Sequence, residues 1–102
     1  MVISMQYRLG IMGFFYFPEV EEGQRYSGNW GMQDQTIALE WGNKFAPHFG
    51  GDVWNRALTG CSAGGWSVLT HLTNEDSWQY FDRGLVAGIG LITGNSKETA
   101  TV

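Results

Sequence analysis

The stretch that decides the fold is RALTGCSAGGWSVLTHL, residues 56–72. Its beginning, Arg56–Thr59, is short and apolar and predicts a strand. A glycine-framed turn follows over Gly60–Gly65, and apolar residues from about Gly64 to Leu72 predict a helix. A strand, a tight turn and a helix in direct succession are typical of the α/β class, in which helices pack on a parallel sheet.

The turn contains a possible catalytic motif. Gly60-Cys61-Ser62-Ala63-Gly64 matches G-x-S-x-G, in which a strained turn between strand and helix raises a serine hydroxyl into solvent. Glycines are expected on both sides because a side chain there would collide with the strand or the helix. The Ala63 N–H would begin the helix and, with the helix dipole, could stabilise an oxyanion beside Ser62. The pattern also occurs in purely structural turns, but the strand and helix around it favour a nucleophilic Ser62.

Three further segments extend the α/β pattern. Val2–Tyr7 is apolar and predicts a buried strand, and Leu85–Ile92 predicts another. Between them a helix is predicted from about Trp30 to Lys44 or Phe45, capped by Asn29 and limited by the proline at position 47. Its apolar stripe is formed by Ile37, Trp41, Phe45 and Phe49. The order β-α-β-α-β predicts a segment of a larger parallel sheet with helices on both faces.

Polar and glycine-rich connections separate these elements. The stretch PEVEEGQRYSGN, residues 18–29, predicts a surface loop with acidic residues at Glu19, Glu21 and Glu22. Gly50–Asp52 predicts a turn, and residues 75–81 predict a turn with a short helical piece. No linker or internal repeat divides the chain, so we expect residues 1–102 to belong to a single domain.

Composition excludes several functions. The chain has 102 residues, a formal net charge of −4 and 16% charged residues, with no cluster of Lys or Arg, which speaks against a nucleic-acid partner. A hydrophobic fraction of 43% speaks against disorder. One cysteine excludes an internal disulfide and a cysteine-based zinc site. Residues 1–10 lack the basic segment of a secretory signal, and no apolar run is long enough to cross a membrane.

The histidines and acids do not complete a catalytic triad with Ser62. His71 lies nine residues further along the predicted helix, a rise of about 13 Å, and is expected to be partly buried. His48 is expected at a helix end, bonded to backbone or water. Asp76 and Asp82 are interpreted as turn or helix-cap residues. No spacing indicates a metal site. Cys61 lies near a helix N-terminus, but the serine holds the framed position.

Four linked motifs carry a resemblance to a known family. QYRLGIMGFF, SGNWGMQDQTIALEW, FGGD and GCSAGG occur in the order and with the spacing found in the type-B carboxylesterase and cholinesterase family. The resemblance runs from Val2 to about Gly90. It implies a partial α/β-hydrolase fold with Ser62 at the nucleophile elbow and Ala63 as one oxyanion donor.

The resemblance also assigns structural roles and a reaction. It implies a salt bridge between Arg8 and Asp34, with Asn29 and Gln35 as structural positions in the same corner. Trp66 is expected in the packing of helix on sheet, with an acyl-pocket wall as a second interpretation. The implied activity is hydrolysis of small-molecule carboxylic esters, which requires no cofactor. A secreted or endoplasmic-reticulum location is implied, with any signal upstream.

The sequence departs from the family pattern in three ways. Members are several times longer, so the chain corresponds to a central piece. Cys61 replaces the glutamate that usually precedes the nucleophile. The upstream H-G-G type oxyanion segment and the triad acid and histidine are absent. We therefore expect the isolated segment to be inactive. The alternatives are a non-catalytic binding or adhesion protein and a truncated gene product whose unpaired strand edges promote aggregation.

Overall fold

The computed structural model describes residues 1–21 and 28–90, without the side chains of residues 20 and 21. These residues form two compact units. One unit comprises residues 1–3 and 38–90, and the other comprises residues 4–21 and 28–37 of the described chain. We call them the sheet unit and the arginine unit. None of the helices in the described ranges is long and apolar enough to cross a membrane.

The sheet unit is built on two parallel strands. Strand β1 spans Ala57–Cys61 and β2 spans Arg83–Ala87, in a register that runs from Ala57↔Arg83 to Cys61↔Ala87. The connection between them contains a helix, Ala63–Thr73, and a 3₁₀ helix, Glu75–Tyr80. β1 lies close to the predicted Arg56–Thr59, whereas β2 begins before the predicted Leu85 and ends at Ala87 instead of Ile92. The predicted parallel α/β arrangement is confirmed.

The helix Ala63–Thr73 packs on one face of this sheet. Burial alternates along both strands, so Leu58 and Gly60 of β1 are half-buried together with Gly84 and Val86 of β2. A Cβ atom on Gly84 would lie 3.0 Å from methyl groups of both Val68 and Leu72, so this glycine lets the helix approach the sheet closely. The opposite face of the sheet is exposed. Helices are expected on both faces of the larger sheet, and in the described residues a helix covers one of them.

A polar clamp ties the amino ends of the two strands together. The Arg56 guanidinium donates to both carboxylate oxygens of Asp82 at 3.2 Å, to the Gln79 carbonyl at 2.8 Å, and to Asn43. The Arg56 N–H also donates to Asp82 at 2.7 Å, and this set of donors lowers the pKa of the Asp82 carboxyl. The sequence predicted Asp82 as a turn or helix-cap residue. In the structure its contacts with Arg56 also align the start of β2 with the start of β1.

The segment before the long helix differs more from expectation, whereas the long helix itself does not. Short helices span Gly10–Phe14 and Pro18–Glu21, and the long helix spans Trp30–Phe45 as predicted. Residues 2–7 contain no strand, so the strand prediction for Val2–Tyr7 was wrong. A strand needs a hydrogen-bonded neighbour, and no described residue pairs with this segment. The 95% exposure of Val2 follows from that lack of a partner.

We number the helices α1 (Gly10–Phe14), α2 (Pro18–Glu21), α3 (Trp30–Phe45) and α4 (Ala63–Thr73). A 3₁₀ helix, Ala46–Phe49, follows α3 and ends at Gly50, whose φ of +80° is the left-handed conformation that glycine adopts without strain. Of the four residues in the predicted apolar stripe, Phe45 is half-buried, whereas Ile37, Trp41 and Phe49 are exposed. Phe49 lies in the 3₁₀ helix after α3. Of the predicted acidic loop, residues 18–21 are helical, and Glu22 lies outside the described residues.

Candidate active site

Ser62 occupies a strained turn between β1 and α4. Its φ of 56° and ψ of −119° make it the one non-glycine residue with positive φ in the described ranges. Such a conformation costs about 1–3 kcal/mol and persists only where the surroundings impose it. The side chain is exposed, and its hydroxyl does not cap α4. The serine hydroxyl is therefore presented to solvent at the carboxyl end of β1.

Backbone hydrogen bonds on both sides hold Ser62 in this conformation. Its N–H donates to the Ala87 carbonyl at 3.0 Å, which continues the ladder from β1 to the end of β2. Its own carbonyl accepts from the Trp66 N–H at 3.1 Å, the first hydrogen bond of α4. The peptide unit before Ser62 thus belongs to the sheet and the one after it belongs to the helix. The sharp change of direction falls on Ser62 itself.

The glycines around Ser62 have unequal roles. A Cβ atom on Gly60 would lie 2.1 Å from the Gly64 carbonyl oxygen, so only glycine fits there. A Cβ atom on Gly64 meets nothing within 4 Å, so the expected collision at that position is absent. The second close approach is instead at Gly65, where a Cβ atom would be 2.9 Å from the Ala87 carbonyl oxygen. The sequence signal for this close approach is the second of two consecutive glycines, because Gly65 lies just outside the G-x-S-x-G motif.

Ala63 supplies the first N–H of α4. The first N–H groups of a helix have no partner within the helix and carry the positive end of its dipole. Ala63 follows Ser62 directly and is exposed, so its N–H lies in the same turn as the serine.

The two histidines lie on different elements, and the contacts given for them are not with Ser62. His71 is in the last turn of α4, nine residues or about 13 Å along the helix axis. Its side chain is buried, its Nδ1 lies 2.9 Å from Ser77 Oγ, and burial lowers its pKa. His48 is exposed on the 3₁₀ helix after α3, next to the ring of Phe45.

The structure also places the remaining candidate groups, Cys61, Asp76 and Trp66. Cys61 is an exposed free thiol that ends β1, beside the position a Cβ would take on Gly88. Asp76 is the second residue of the 3₁₀ helix Glu75–Tyr80, and its N–H donates to the Asn74 side chain, which caps that helix. Trp66 packs in the first turns of α4 with its indole nitrogen buried. Among the described residues there is no group of three or more metal-binding side chains.

In the arginine unit, Arg8 and Asp34 form a two-pronged ion pair. Arg8 Nε and Nη2 donate to the two carboxylate oxygens of Asp34 at 2.8 Å each, and the Arg8 N–H donates at 3.0 Å. These hydrogen bonds lower the pKa of Asp34 to about 2. A Cβ atom on Gly13 or Gly31 would lie within 2.5 Å of the Arg8 carbonyl oxygen, so both glycines allow α1 and α3 to approach the Arg8 backbone closely. The pair joins the segment before α1 to the start of α3.

Asn29 and Gln35 belong to the same corner. The Asn29 carbonyl accepts from the Gln33 N–H at 3.0 Å, which places Asn29 at the start of α3. The Gln35 side chain is buried one position after Asp34. The corner is therefore fixed by backbone and side-chain contacts at the first two turns of α3.

A parallel sheet that leads through a strained serine turn into a helix defines the α/β-hydrolase class. A thermophilic PNB esterase of known structure superposes on 76% of this chain with a TM-score of 0.68 and 37% identity, although this corresponds to only 16% of the esterase. The family model described as the carboxylesterase family matches residues 1–94. The chain therefore belongs to the carboxylesterase family.

Curated relatives show the same similarity. Cocaine esterase of Oryctolagus cuniculus is 38% identical over 99% of this chain. Acylcarnitine hydrolase of Mus musculus is 37% identical over 97% of it. Acetylcholinesterase of Myxine glutinosa is 40% identical over 83% of it. The chain spans 19%, 17% and 24% of these three proteins, respectively.

Proposed function

We propose that this chain carries the nucleophile of a carboxylic ester hydrolase and that the nucleophile is Ser62. The observation that carries the proposal is the positive φ of an exposed serine between β1 and α4. A structural turn would adopt this conformation at lower cost with glycine. Strain retained at a serine is typical of a site where the hydroxyl must be held in one direction.

The proposed reaction proceeds through an acyl-enzyme. Ser62 Oγ forms a bond to the ester carbonyl carbon while a general base takes its proton. The carbonyl oxygen becomes an oxyanion and accepts a hydrogen bond from the Ala63 N–H. The carbon–oxygen bond to the alcohol then breaks, and the alcohol leaves with the proton. Water repeats the sequence on the acyl group and releases the carboxylic acid.

We propose that the base and its acid partner come from a part of the domain that these 102 residues do not contain. His71 is engaged with Ser77 in the core, and His48 is exposed on another element. The chain also spans less than a quarter of the relatives named above. The isolated chain is therefore expected to be inactive, although it holds the nucleophile.

The alternative is a non-catalytic binding protein of the same family. Cys61 favours it, because the residue before the nucleophile is usually a glutamate in the family that the sequence resembles. The retained serine and its strained backbone favour hydrolysis, because binding alone gives no reason to keep either. The two functions differ in whether Ser62 reacts with an electrophile once a base is present.

A fluorophosphonate probe tests the proposal directly. We expect no label on the isolated chain, because an unactivated serine reacts too slowly. A chimera supplies the missing base: residues 1–90 replace the aligned segment of the thermophilic PNB esterase, which is 37% identical. In the chimera we expect the probe on the peptide that contains Ser62, located by mass spectrometry.

The control for this experiment is Ser67→Ala, which removes a hydroxyl from the same helix. Ser67 Oγ donates to the Ala63 carbonyl at 3.1 Å and has no role in the proposed chemistry. Labelling should persist in Ser67→Ala and disappear in Ser62→Ala. A folded chimera that takes no label at Ser62 would favour the binding protein, and a label at another residue would reject the assignment.

A further inference from the structure

The chain that leaves β2 wraps around the turn that carries Ser62. The Ala87 carbonyl, at the end of β2, accepts from the Ser62 N–H at 3.0 Å. Gly88 follows with a φ of +59°, and a Cβ atom there would lie 3.2 Å from Cys61 Sγ and 3.7 Å from the Ser62 nitrogen. Two successive residues after the strand ladder therefore border the serine turn directly.

Ile89, the next residue, lies against the first turn of α4. Its Cγ2 methyl is 2.7 Å from the position that a Cβ atom would take on Gly65, and a methyl of Val86 is 3.3 Å from the same position. Gly65 is three positions after Ser62. Residues three positions apart in a helical turn are neighbours, with about 5–6 Å between their Cβ positions. The Ile89 side chain therefore borders the serine turn from the side of β2.

Part of the Ile89 side chain is open to solvent beside the serine. Its exposed fraction is 43%, and Ser62 and Ala63 are exposed in the same region. Ligands of open α/β sheets bind outside the carboxyl ends of the strands, which is where these three residues lie. An ester whose carbonyl carbon is held at Ser62 Oγ has an acyl chain and an alcohol chain. The chain directed towards the end of β2 would meet an aliphatic surface.

We propose that Ile89 is a specificity-determining residue of the ester hydrolase and that it favours esters with an apolar chain. The inference rests on the proposed function, because it requires the ester carbonyl carbon to be held at Ser62 Oγ. A longer chain covers the exposed part of Ile89, and each methylene group that this contact removes from water favours the reaction by about fourfold at most. An acetyl or methyl group is too short to gain this contact.

Two series of esters test this assignment in the chimera described above. The p-nitrophenyl esters of acetate, butyrate and hexanoate vary the acyl chain, and methyl, butyl and hexyl acetate vary the alcohol chain. In Ile89→Ala we expect the ratio of kcat/KM for the longest ester to that for the shortest to fall about threefold to tenfold in one series. A fall in the first series assigns the contact to the acyl chain, and a fall in the second assigns it to the alcohol chain.

Leu85→Ala is the matched control, because it removes the same number of atoms from another exposed aliphatic residue of β2. Leu85 belongs to the face of the sheet that α4 does not cover. Its truncation should therefore leave both ratios within about twofold of those of the parent chimera. Ile89→Val is the conservative variant. Valine keeps most of the aliphatic surface, so the preference for the longer ester should largely persist.

Ratios that stay unchanged in both series of Ile89→Ala would overturn the assignment, because an equal loss towards all esters shows only support of the serine turn. Failure of the proposed function is a separate result: the parent chimera folds but takes no fluorophosphonate label at Ser62. A second measurement applies if that chimera does not fold. Residues 83–90 alone then replace the aligned segment of the esterase, and Ile89→Ala should lower the same ratio there. An unchanged ratio in this shorter exchange would also overturn the assignment.

Discussion

Ser62→Ala in the esterase chimera is expected to lower kcat for p-nitrophenyl acetate by at least about 10³-fold. The substitution removes the oxygen that would form the acyl-enzyme and leaves the backbone donors in place. Alanine lacks β-branching and is compatible with a turn already imposed by the strands and helix, so the fold should persist. The measurement is steady-state hydrolysis, with circular dichroism to show that the variant is folded.

Ser67→Ala is the matched control for the kinetics as well. It removes a hydroxyl one turn further along α4, where Ser67 Oγ bonds to a backbone carbonyl. We expect kcat to remain within about threefold of the parent chimera, because no transition-state contact is lost. Equal losses in both serine variants would show that the helix, and not the Ser62 hydroxyl, limits activity. Full activity in Ser62→Ala would reject Ser62 as the nucleophile.

Gly60→Ala is expected to have the largest effect on structure. The new Cβ would lie 2.1 Å from the Gly64 carbonyl oxygen and 2.2 Å from its carbonyl carbon. These are backbone atoms, so β1 and the start of α4 must move apart. We expect a loss of about 3 kcal/mol or more in the free energy of unfolding, together with loss of fluorophosphonate labelling. Urea unfolding of the chimera measures the first effect.

Gly64→Ala tests whether the loss of stability in Gly60→Ala comes from the steric clash of the new Cβ or from an inability of the motif to accept any substitution of its glycines. A Cβ at Gly64 meets nothing within 4 Å, and Gly64 does not have a positive φ. Alanine is also favoured over glycine inside a helix by up to about 1 kcal/mol. The Gly64 variant should therefore be as stable as the parent or slightly more stable. If both alanine variants lost stability equally, the close approach at Gly60 would not be the cause.

Features encoded within a few neighbouring residues were predictable from the sequence. The strand, turn and helix around Ser62 follow from a short apolar run, a glycine-framed motif and a helical pattern, and all three occur within a few residues of their predicted bounds. The helix Trp30–Phe45 was equally clear, since its start and its proline limit are local signals. The parallel pairing of β1 and β2 follows because a helix connects them.

Features that depend on a distant partner were harder to predict. Val2–Tyr7 has the composition of a strand, but composition does not provide the neighbouring strand that the ladder requires. The Arg56 clamp joins Arg56 to Asp82, which is 26 positions further along the chain. The one indication of it in the neighbouring sequence is a charged residue directly before each strand. The contact between His71 and Ser77 needs the turn after α4 to fold back, which no periodicity reveals.

A crystal structure of the phosphonylated chimera is the measurement that tests the central claim most directly. We predict a covalent bond between phosphorus and Ser62 Oγ, with Ser62 φ near the 56° of the unmodified chain. The phosphonyl oxygen should lie about 2.7–3.1 Å from the Ala63 nitrogen, as required of an oxyanion donor. An adduct on another residue, or a phosphonyl oxygen that points away from Ala63, would contradict the assignment of Ser62 and Ala63 to the reaction.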